Sequence, residues 1–218
     1  MLKVPVAIEL SGIVAGALSG GVHAAERRAD IIGIFVLACA TALGGGMLRD
    51  ILMGIGTPSA LVHPVYLIVV GAASLMTLFL APHLARVARL RTRIDALLVG
   101  LWTVMGTEQA LGHGLPMTSA VFLGTLTATG GGMLRDVLTG QMPALMTKGE
   151  LLATAAFLGA TLDVLLLRGL RLRPFVSELT TIGVTAVLRL AALRWHLTAP
   201  TPDDVARFLR RRGSHDAG

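Results

Sequence analysis

The chain of 218 residues is 54% hydrophobic and only 15% charged. Soluble domains carry charge on about a quarter of their residues, so this composition excludes a soluble globular protein, and disorder is excluded for the same reason. The net charge of +6 does not indicate nucleic acid, because most basic residues lie between apolar stretches. A single cysteine, Cys39, argues against internal disulfides and cysteine-based metal sites. The composition therefore predicts an all-α protein that crosses a membrane several times.

A transmembrane helix needs about 20 largely apolar residues, and several stretches of the chain come close to this length. The first is interrupted by Glu9 and lacks a convincing cleavage site, so we interpret it as a span and not as a signal peptide. After Arg194 the chain becomes polar, which predicts a cytoplasmic tail over 194–218. The seven predicted transmembrane helices are 4–22, 31–53, 64–81, 94–111, 115–138, 151–167 and 175–193.

The basic residues predict the orientation of these spans, because cytoplasmic loops are enriched in Lys and Arg. With the N-terminus outside, twelve basic residues lie on the inner side and four on the outer side. The loops that follow the second and fourth spans contain no basic residue. We therefore expect an external N-terminus and a cytoplasmic C-terminus.

An internal repeat organises the chain. TALGGGMLRDILMG over 41–54 and TATGGGMLRDVLTG over 127–140 are identical at eleven of fourteen positions, at an offset of 86 residues. Each repeat holds three spans, so the second enters the membrane from the opposite side. This predicts two inverted units, 4–81 and 94–167, followed by a seventh helix, 175–193. Inverted repeats place functional sites near the bilayer midplane, in discontinuous helices.

The glycine triplets are the predicted breaks in helices two and five. Each glycine disfavours a helix by roughly 1 kcal/mol relative to alanine, and a break would offer backbone groups to water or to an ion. The alternative is close packing of helices across small residues. The predicted pore and break residues are Gly44, Gly45, Gly46, Gly130, Gly131 and Gly132.

Each triplet is followed by an arginine and an aspartate, Arg49–Asp50 and Arg135–Asp136. Charges within a membrane are expected to face a cavity or a partner. We expect each aspartate in the first turn of the resumed half-helix, where the helix dipole favours a carboxylate. Arg49 is placed towards the outer vestibule and Arg135 towards the inner one. The alternative is a structural ion network that holds neighbouring helices together.

Other polar residues complete the prediction. Thr41, Thr127 and Thr129 are candidate pore-lining residues, although hydrogen bonds between helices would explain them equally well. Arg189 is expected to reach the inner membrane interface. The histidines show no metal-ligand spacing, and the sequence has no nucleophile–base set and no phosphate loop. No catalytic residue, resident metal or cofactor is therefore predicted, and an enzyme is disfavoured.

The doubled GGGMLRD, the pattern of three, three and one spans and the GQMP that follows the second motif resemble the TRIC family of trimeric intracellular cation channels, in particular its prokaryotic members. The repeat is also similar to a glycine-transporter-like family of uncharacterised membrane proteins. The resemblance implies a homotrimer in the plasma membrane of a prokaryote. It also implies a pore within each subunit and conduction of monovalent cations, K+ or Na+, with potassium preferred. The lipid-binding lysine motif of the animal members is replaced here by Gly46 to Arg49.

Three functions therefore compete. A passive channel needs only a hydrated constriction, and we favour a potassium-permeable cation channel. A secondary transporter of a small solute such as glycine also fits inverted repeats, but the sequence offers few polar groups for a substrate pocket. A non-conducting membrane scaffold is the third. In each case the partners are the lipid bilayer and further copies of the chain, with no nucleic acid.

Overall fold

The computed structural model describes residues 6–86, 88–146, 151–195 and 197, and this part of the chain is helical, with no strand. Most of the predicted tail and several basic residues of the orientation count, among them Lys148 and Arg210, lie outside the described residues. The described helices are α1 Val6–Glu26, α2 Ile31–Met53, α3 Ser59–Val62, α4 Pro64–Arg86, α5 Ala88–Gly112, α6 Met117–Leu138, α7 Leu152–Val164 with a π-helical turn Leu165–Gly169, and α8 Pro174–Arg194.

Local sequence signals explain where several of these helices begin and end. Asp30 is the N-cap of α2, and its carboxylate accepts a hydrogen bond of 2.7 Å from the Gly33 backbone N–H. Helix α2 ends at Gly54, whose φ of 65° lies in the left-handed region that glycine adopts readily. Proline at the first position of α8 fits the start of a helix, because its missing N–H would be unpaired there.

Within the described residues, helices cover most of each of the seven stretches predicted as spans, although the count of seven membrane crossings stays a prediction. Within the described residues, four helices are long and apolar enough to cross a membrane: Ile8–Glu26, Ile31–Met53, Leu152–Gly169 and Pro174–Arg194. Pro64–Phe79 is a shorter apolar helix. Helices α5 and α6 carry more polar residues, since α5 begins with several arginines and α6 holds threonines and the second Arg–Asp pair.

The packing of the helices follows the internal repeat. In the first unit α1 packs against α2 and α4, and in the second unit α5 packs against α6 and α7 in the same way. The two units meet where α2 packs against α6. Helix α8 lies outside both units and packs against α5 and α7 of the second.

Polar and apolar residues are distributed as in a protein surrounded by lipid. Large apolar side chains point outwards, such as Phe79 at 76% exposed and Ile32 at 68%. Charged residues, in contrast, lie in the interior, with Asp50 at 1% exposed and Arg49 at 5%. This arrangement, with the apolar helices above, makes the chain a multi-pass membrane protein.

The predicted breaks at the glycine triplets are wrong. Both α2 and α6 run as continuous α-helices through Gly44–Gly46 and Gly130–Gly132. The cost of glycine in a helix, roughly 1 kcal/mol for each residue, is offset by tertiary packing, because the missing side chains allow the two helices to approach each other closely. Close packing, which the sequence left as the alternative, is what the structure shows.

Candidate functional site

The middle glycines of the two triplets form the crossing of α2 and α6. A Cβ built on Gly45 would collide with the Thr127 carbonyl oxygen and lie 3.1 Å from its carbon. A Cβ on Gly131 would collide with the Thr41 carbonyl oxygen and lie 3.1 Å from that carbon. The contacts are related by the repeat, so the crossing is two-fold symmetric. Each helix thus packs its glycine directly onto the backbone of the other.

The third glycines have different surroundings. The nearest atom to a Cβ on Gly46 would be Arg49 Nη2 at 3.7 Å, and for Gly132 it would be Arg135 Nη2 at 4.0 Å. Neither glycine meets backbone of another helix, and both line a cavity beside the crossing. Within one triplet, therefore, Gly45 packs against the neighbouring helix and Gly46 borders the cavity beside that contact.

The threonines near the triplets form hydrogen bonds within their own helices and also line the cavity. The Thr41 hydroxyl donates to the Leu37 carbonyl oxygen at 2.7 Å, and the Thr127 hydroxyl donates to that of Leu123 at 2.6 Å. Thr129 likewise donates to Thr125 O at 2.8 Å. Each hydroxyl is thus bonded within its own helix, and its oxygen still has lone pairs to offer to the cavity.

Each arginine pairs with the aspartate that follows it. Arg49 Nε and Nη2 donate to Asp50 Oδ1 at 2.9 and 2.7 Å, and Arg135 makes the same two bonds to Asp136 Oδ1 at 3.0 and 2.8 Å. The second carboxylate oxygen accepts a backbone N–H from the segment after the helix. For Asp50 the donor is Ser59 at 2.8 Å, and for Asp136 it is Ala144 at 3.0 Å.

These contacts correct the expectation for the aspartates. Because α2 and α6 are continuous, Asp50 and Asp136 lie in the last turn of each helix and not in a first turn. The helix dipole disfavours a carboxylate there, and the neighbouring guanidinium and the backbone N–H supply the compensation. Each pair is close to neutral overall. The aspartate of each pair also holds the following segment against the helix end.

The cavity has a volume of about 310 Å³ and lies between the two repeats. Its lining contains residues that the offset of 86 relates to each other, so the cavity follows the pseudo-twofold symmetry of the chain. These related pairs include Glu9 and Asp95, Thr41 and Thr127, Gly45 and Gly131, Gly46 and Gly132, and Arg49 and Arg135.

Most of the predicted site residues share this cavity. Besides the pairs above, Asp50 and Thr129 line it. Gly44, Gly130 and Asp136 do not belong to the lining. Gly44 faces Leu134, and Gly130 packs against the Gly45 backbone, with 3.1 Å between its built Cβ and the Gly45 Cα.

The polar part of the lining also includes residues that the predicted site lacked, among them Glu9, Tyr66, Asp95 and Arg189. The expected position of Arg189 at the membrane interface is wrong, since it is only 7% exposed and lines the cavity. A signal for it was present. Ser177, Thr181, Thr185 and Arg189 recur every four residues on α8, which marks one polar face.

The charged residues divide the cavity into two ends. At the first, which we call the Glu9 end, the Tyr66 hydroxyl lies close to Glu9, and Arg49 lies close enough to Tyr66 to interact electrostatically. Arg135 interacts instead with His23, near the other terminus of α1. Glu9 and His23 are fourteen residues apart on this helix, which is about 21 Å at 1.5 Å per residue. Arg49 and Arg135 therefore lie at opposite ends.

The opposite, Asp95 end holds Asp95, Arg135 and Arg189. Gly100 of α5 packs against Ile182 of α8, with 2.9 Å between its built Cβ and the Ile182 Cα. Glu108 of α5 also lies close enough to Glu178 of α8 to interact electrostatically, so the two helices are antiparallel. Asp95, five residues before the contact, and Arg189, seven residues after it, therefore lie on the same side. The described residues contain no group of three or more His, Cys, Asp or Glu that could hold a metal ion.

Comparison with known proteins identifies the family. The family model described as Glycine transporter matches residues 6–82 and again 92–168, two segments offset by 86 residues like the motifs. The UPF0126 inner membrane protein YadS of Escherichia coli (strain K12) is 30% identical over 195 residues, covering 89% of this chain and 94% of that protein. A UPF0126 membrane protein of Vibrio cholerae is 32% identical over 196 residues, covering 89% of this chain and 81% of that protein. Both relatives are described as membrane proteins.

Solved structures agree with the sequence relatives. A structure described as a TRIC cation channel superposes with a TM-score of 0.85 at 30% identity, covering 91% of this chain and 97% of that one. The TRIC trimeric intracellular cation channel orthologue from Rhodobacter sphaeroides gives a TM-score of 0.82 at 29% identity, covering 90% and 100%. The resemblance inferred from the GGGMLRD motifs is confirmed. The chain belongs to the family of prokaryotic TRIC channels and UPF0126 membrane proteins, whose repeated unit the Glycine transporter model describes.

Proposed function

We propose that this chain is a monovalent cation channel, permeable to potassium, and that its pore is the cavity between α2 and α6 of a single subunit. One observation carries the proposal: residues of both repeats line a common cavity with acidic groups at its two ends, Glu9 and Asp95. Its relatives of known structure are described as cation channels. A path across the membrane crosses the in-plane pseudo-twofold axis, so the two halves are expected to line it equivalently, and both halves line this cavity.

The charges of the lining favour cations. The arginines of the motifs would repel a cation if they stood alone, but each donates two hydrogen bonds to its neighbouring aspartate. The net charge of each motif is therefore close to zero. Glu9 adds negative charge at one end and Asp95 at the other, and acidic groups at a pore mouth attract cations. The hydroxyl oxygens of Thr41, Thr127 and Thr129 supply neutral ligands between the ends.

We further propose a homotrimer in the bacterial inner membrane, with the N-terminus outside. The trimer is supported by the description of the Rhodobacter sphaeroides orthologue as a trimeric channel. The inner membrane is supported by the Escherichia coli relative. The orientation rests on the twelve-to-four distribution of basic residues. With this orientation the Asp95 end faces the cytoplasm.

Recording of the purified protein in a planar bilayer tests this function. We expect discrete unitary currents whose reversal potential in a potassium chloride gradient lies near the equilibrium potential of potassium. A double variant, Glu9→Gln with Asp95→Asn, should lower the unitary current without changing the oligomer size measured by light scattering. Solute uptake without unitary currents would instead establish the transporter alternative, and absence of both would contradict any transport function.

A further inference from the structure

Arg189 enters the cavity from a helix that the repeat does not contain. Its helix α8 follows the second unit and packs mainly against α5 and α7. Ser177, Thr181 and Thr185, spaced four residues apart on the same face, are fully buried. This face turns α8 so that Arg189, one further turn along, points into the cavity, where it is 7% exposed.

This arginine breaks the symmetry of charge in the cavity. The repeat gives the two ends matching acidic residues, Glu9 and Asp95, and matching Arg–Asp pairs. Arg189 lies at the Asp95 end, on the same side of the Gly100–Ile182 contact as Asp95. At the Glu9 end the group next to Glu9 is the neutral Tyr66 hydroxyl. Glu9 and the Arg49–Asp50 pair together give the Glu9 end one net negative charge. Asp95, the Arg135–Asp136 pair and Arg189 together give the Asp95 end a net charge of zero.

We propose that Arg189 makes cation entry easier from the Glu9 end of the cavity than from the Asp95 end. The inference rests on the proposed channel function. A pore mouth bounded by protein and lipid concentrates the field of a single charge, and such focusing changes local cation concentration. Arg189 offsets the attraction of Asp95 for cations whether or not the two side chains bond directly. The channel is therefore a rectifier in symmetric solutions.

Unitary currents of the wild-type chain and the Arg189→Gln variant at equal positive and negative voltages, in symmetric potassium chloride, test the proposal. The wild-type ratio of the two currents should be about twofold or more, a modest effect for electrostatic focusing, and Arg189→Gln should bring it close to unity. Arg189→Lys keeps the charge and should keep the rectification. Arg194→Gln is the matched control, because it removes the same charge from an exposed position of α8 outside the cavity.

A second variant, Glu9→Gln, tests the same charge difference if the Arg189→Gln protein does not assemble. Glu9→Gln removes the excess charge from the opposite end at nearly constant side-chain size and should also abolish rectification. A wild-type chain without unitary current would overturn the proposed function and this inference together. A conducting wild type that does not rectify, or an assembled Arg189→Gln or Glu9→Gln protein that rectifies as the wild type does, would overturn this inference alone.

Discussion

The crossing of α2 and α6 predicts opposite effects for alanine at two adjacent glycines. A Cβ at position 45 would collide with the Thr127 carbonyl oxygen, which is backbone and cannot rotate away. A Cβ at position 46 would meet nothing closer than 3.7 Å. The Gly45→Ala variant should therefore force the helices apart, whereas Gly46→Ala should leave the crossing intact.

The magnitudes follow from two opposing effects. Alanine favours a helix over glycine by about 1 kcal/mol, and this gain applies to both variants. Overpacking in a tight interior costs about 1–3 kcal/mol, and this cost applies to Gly45→Ala alone. We expect Gly45→Ala to lower the free energy of unfolding by up to about 2 kcal/mol. Gly46→Ala should leave this free energy unchanged or raise it by up to about 1 kcal/mol.

Unfolding of the purified protein with increasing sodium dodecyl sulfate, followed by the fluorescence of Trp102 and Trp195, measures this difference. Gly131→Ala is the symmetry-related control and should behave as Gly45→Ala does, because its Cβ would collide with the Thr41 carbonyl oxygen. Equal stability of the Gly45→Ala and Gly46→Ala proteins would refute the assignment of the glycine triplets to helix packing.

Three further predictions concern the motifs and the topology. Asp50→Asn should destabilise the fold by about 3 kcal/mol or more, because it leaves a buried guanidinium without its charge partner; Asp136→Asn should cost less in the same unfolding assay, since the Arg135 side chain is 22% exposed and that of Arg49 only 6%. Arg49→Ala and Arg135→Ala should change the rectification of unitary currents in opposite senses, and a change of the same sense in both would show that they do not lie at opposite ends. A cysteine introduced into 56–63 should react with an impermeant reagent from outside intact cells, and labelling only after lysis would reverse the proposed orientation.

The sequence predicted the positions of the long helices and the repeat because both depend on patterns along the chain. Apolar stretches and the 86-residue offset are visible without knowing any tertiary contact. Whether the helices break at the glycine triplets could not be predicted from such patterns. The helix penalty of glycine is a local property, but whether a helix breaks depends on what packs against the glycine, here the Thr127 and Thr41 backbone.

The ends of the cavity show the same limit of sequence reasoning. The error for the aspartates followed directly from the assumed break, because a continuous α2 places Asp50 at a C-terminus instead of an N-terminus. Arg189 lies five residues before the end of α8, where a long side chain can reach either the interface or the interior. Which of the two it reaches depends on the polar face that begins at Ser177, and that face becomes visible only when the spacing of four is read across the helix.

The central claim, that cations pass through the cavity between α2 and α6, can be tested with a single thiol. In a Cys39→Ala background, Gly46→Cys would place a thiol in open space on the cavity wall. Gly183→Cys would place one at an exposed position of α8 with no neighbour within 4 Å, as a control. Unitary currents are recorded before and after addition of a charged methanethiosulfonate reagent, with modification verified by mass spectrometry. The account predicts a stepwise fall in the unitary current of the Gly46→Cys channel and an unchanged Gly183→Cys channel; full current through a Gly46→Cys protein that is completely modified would contradict it.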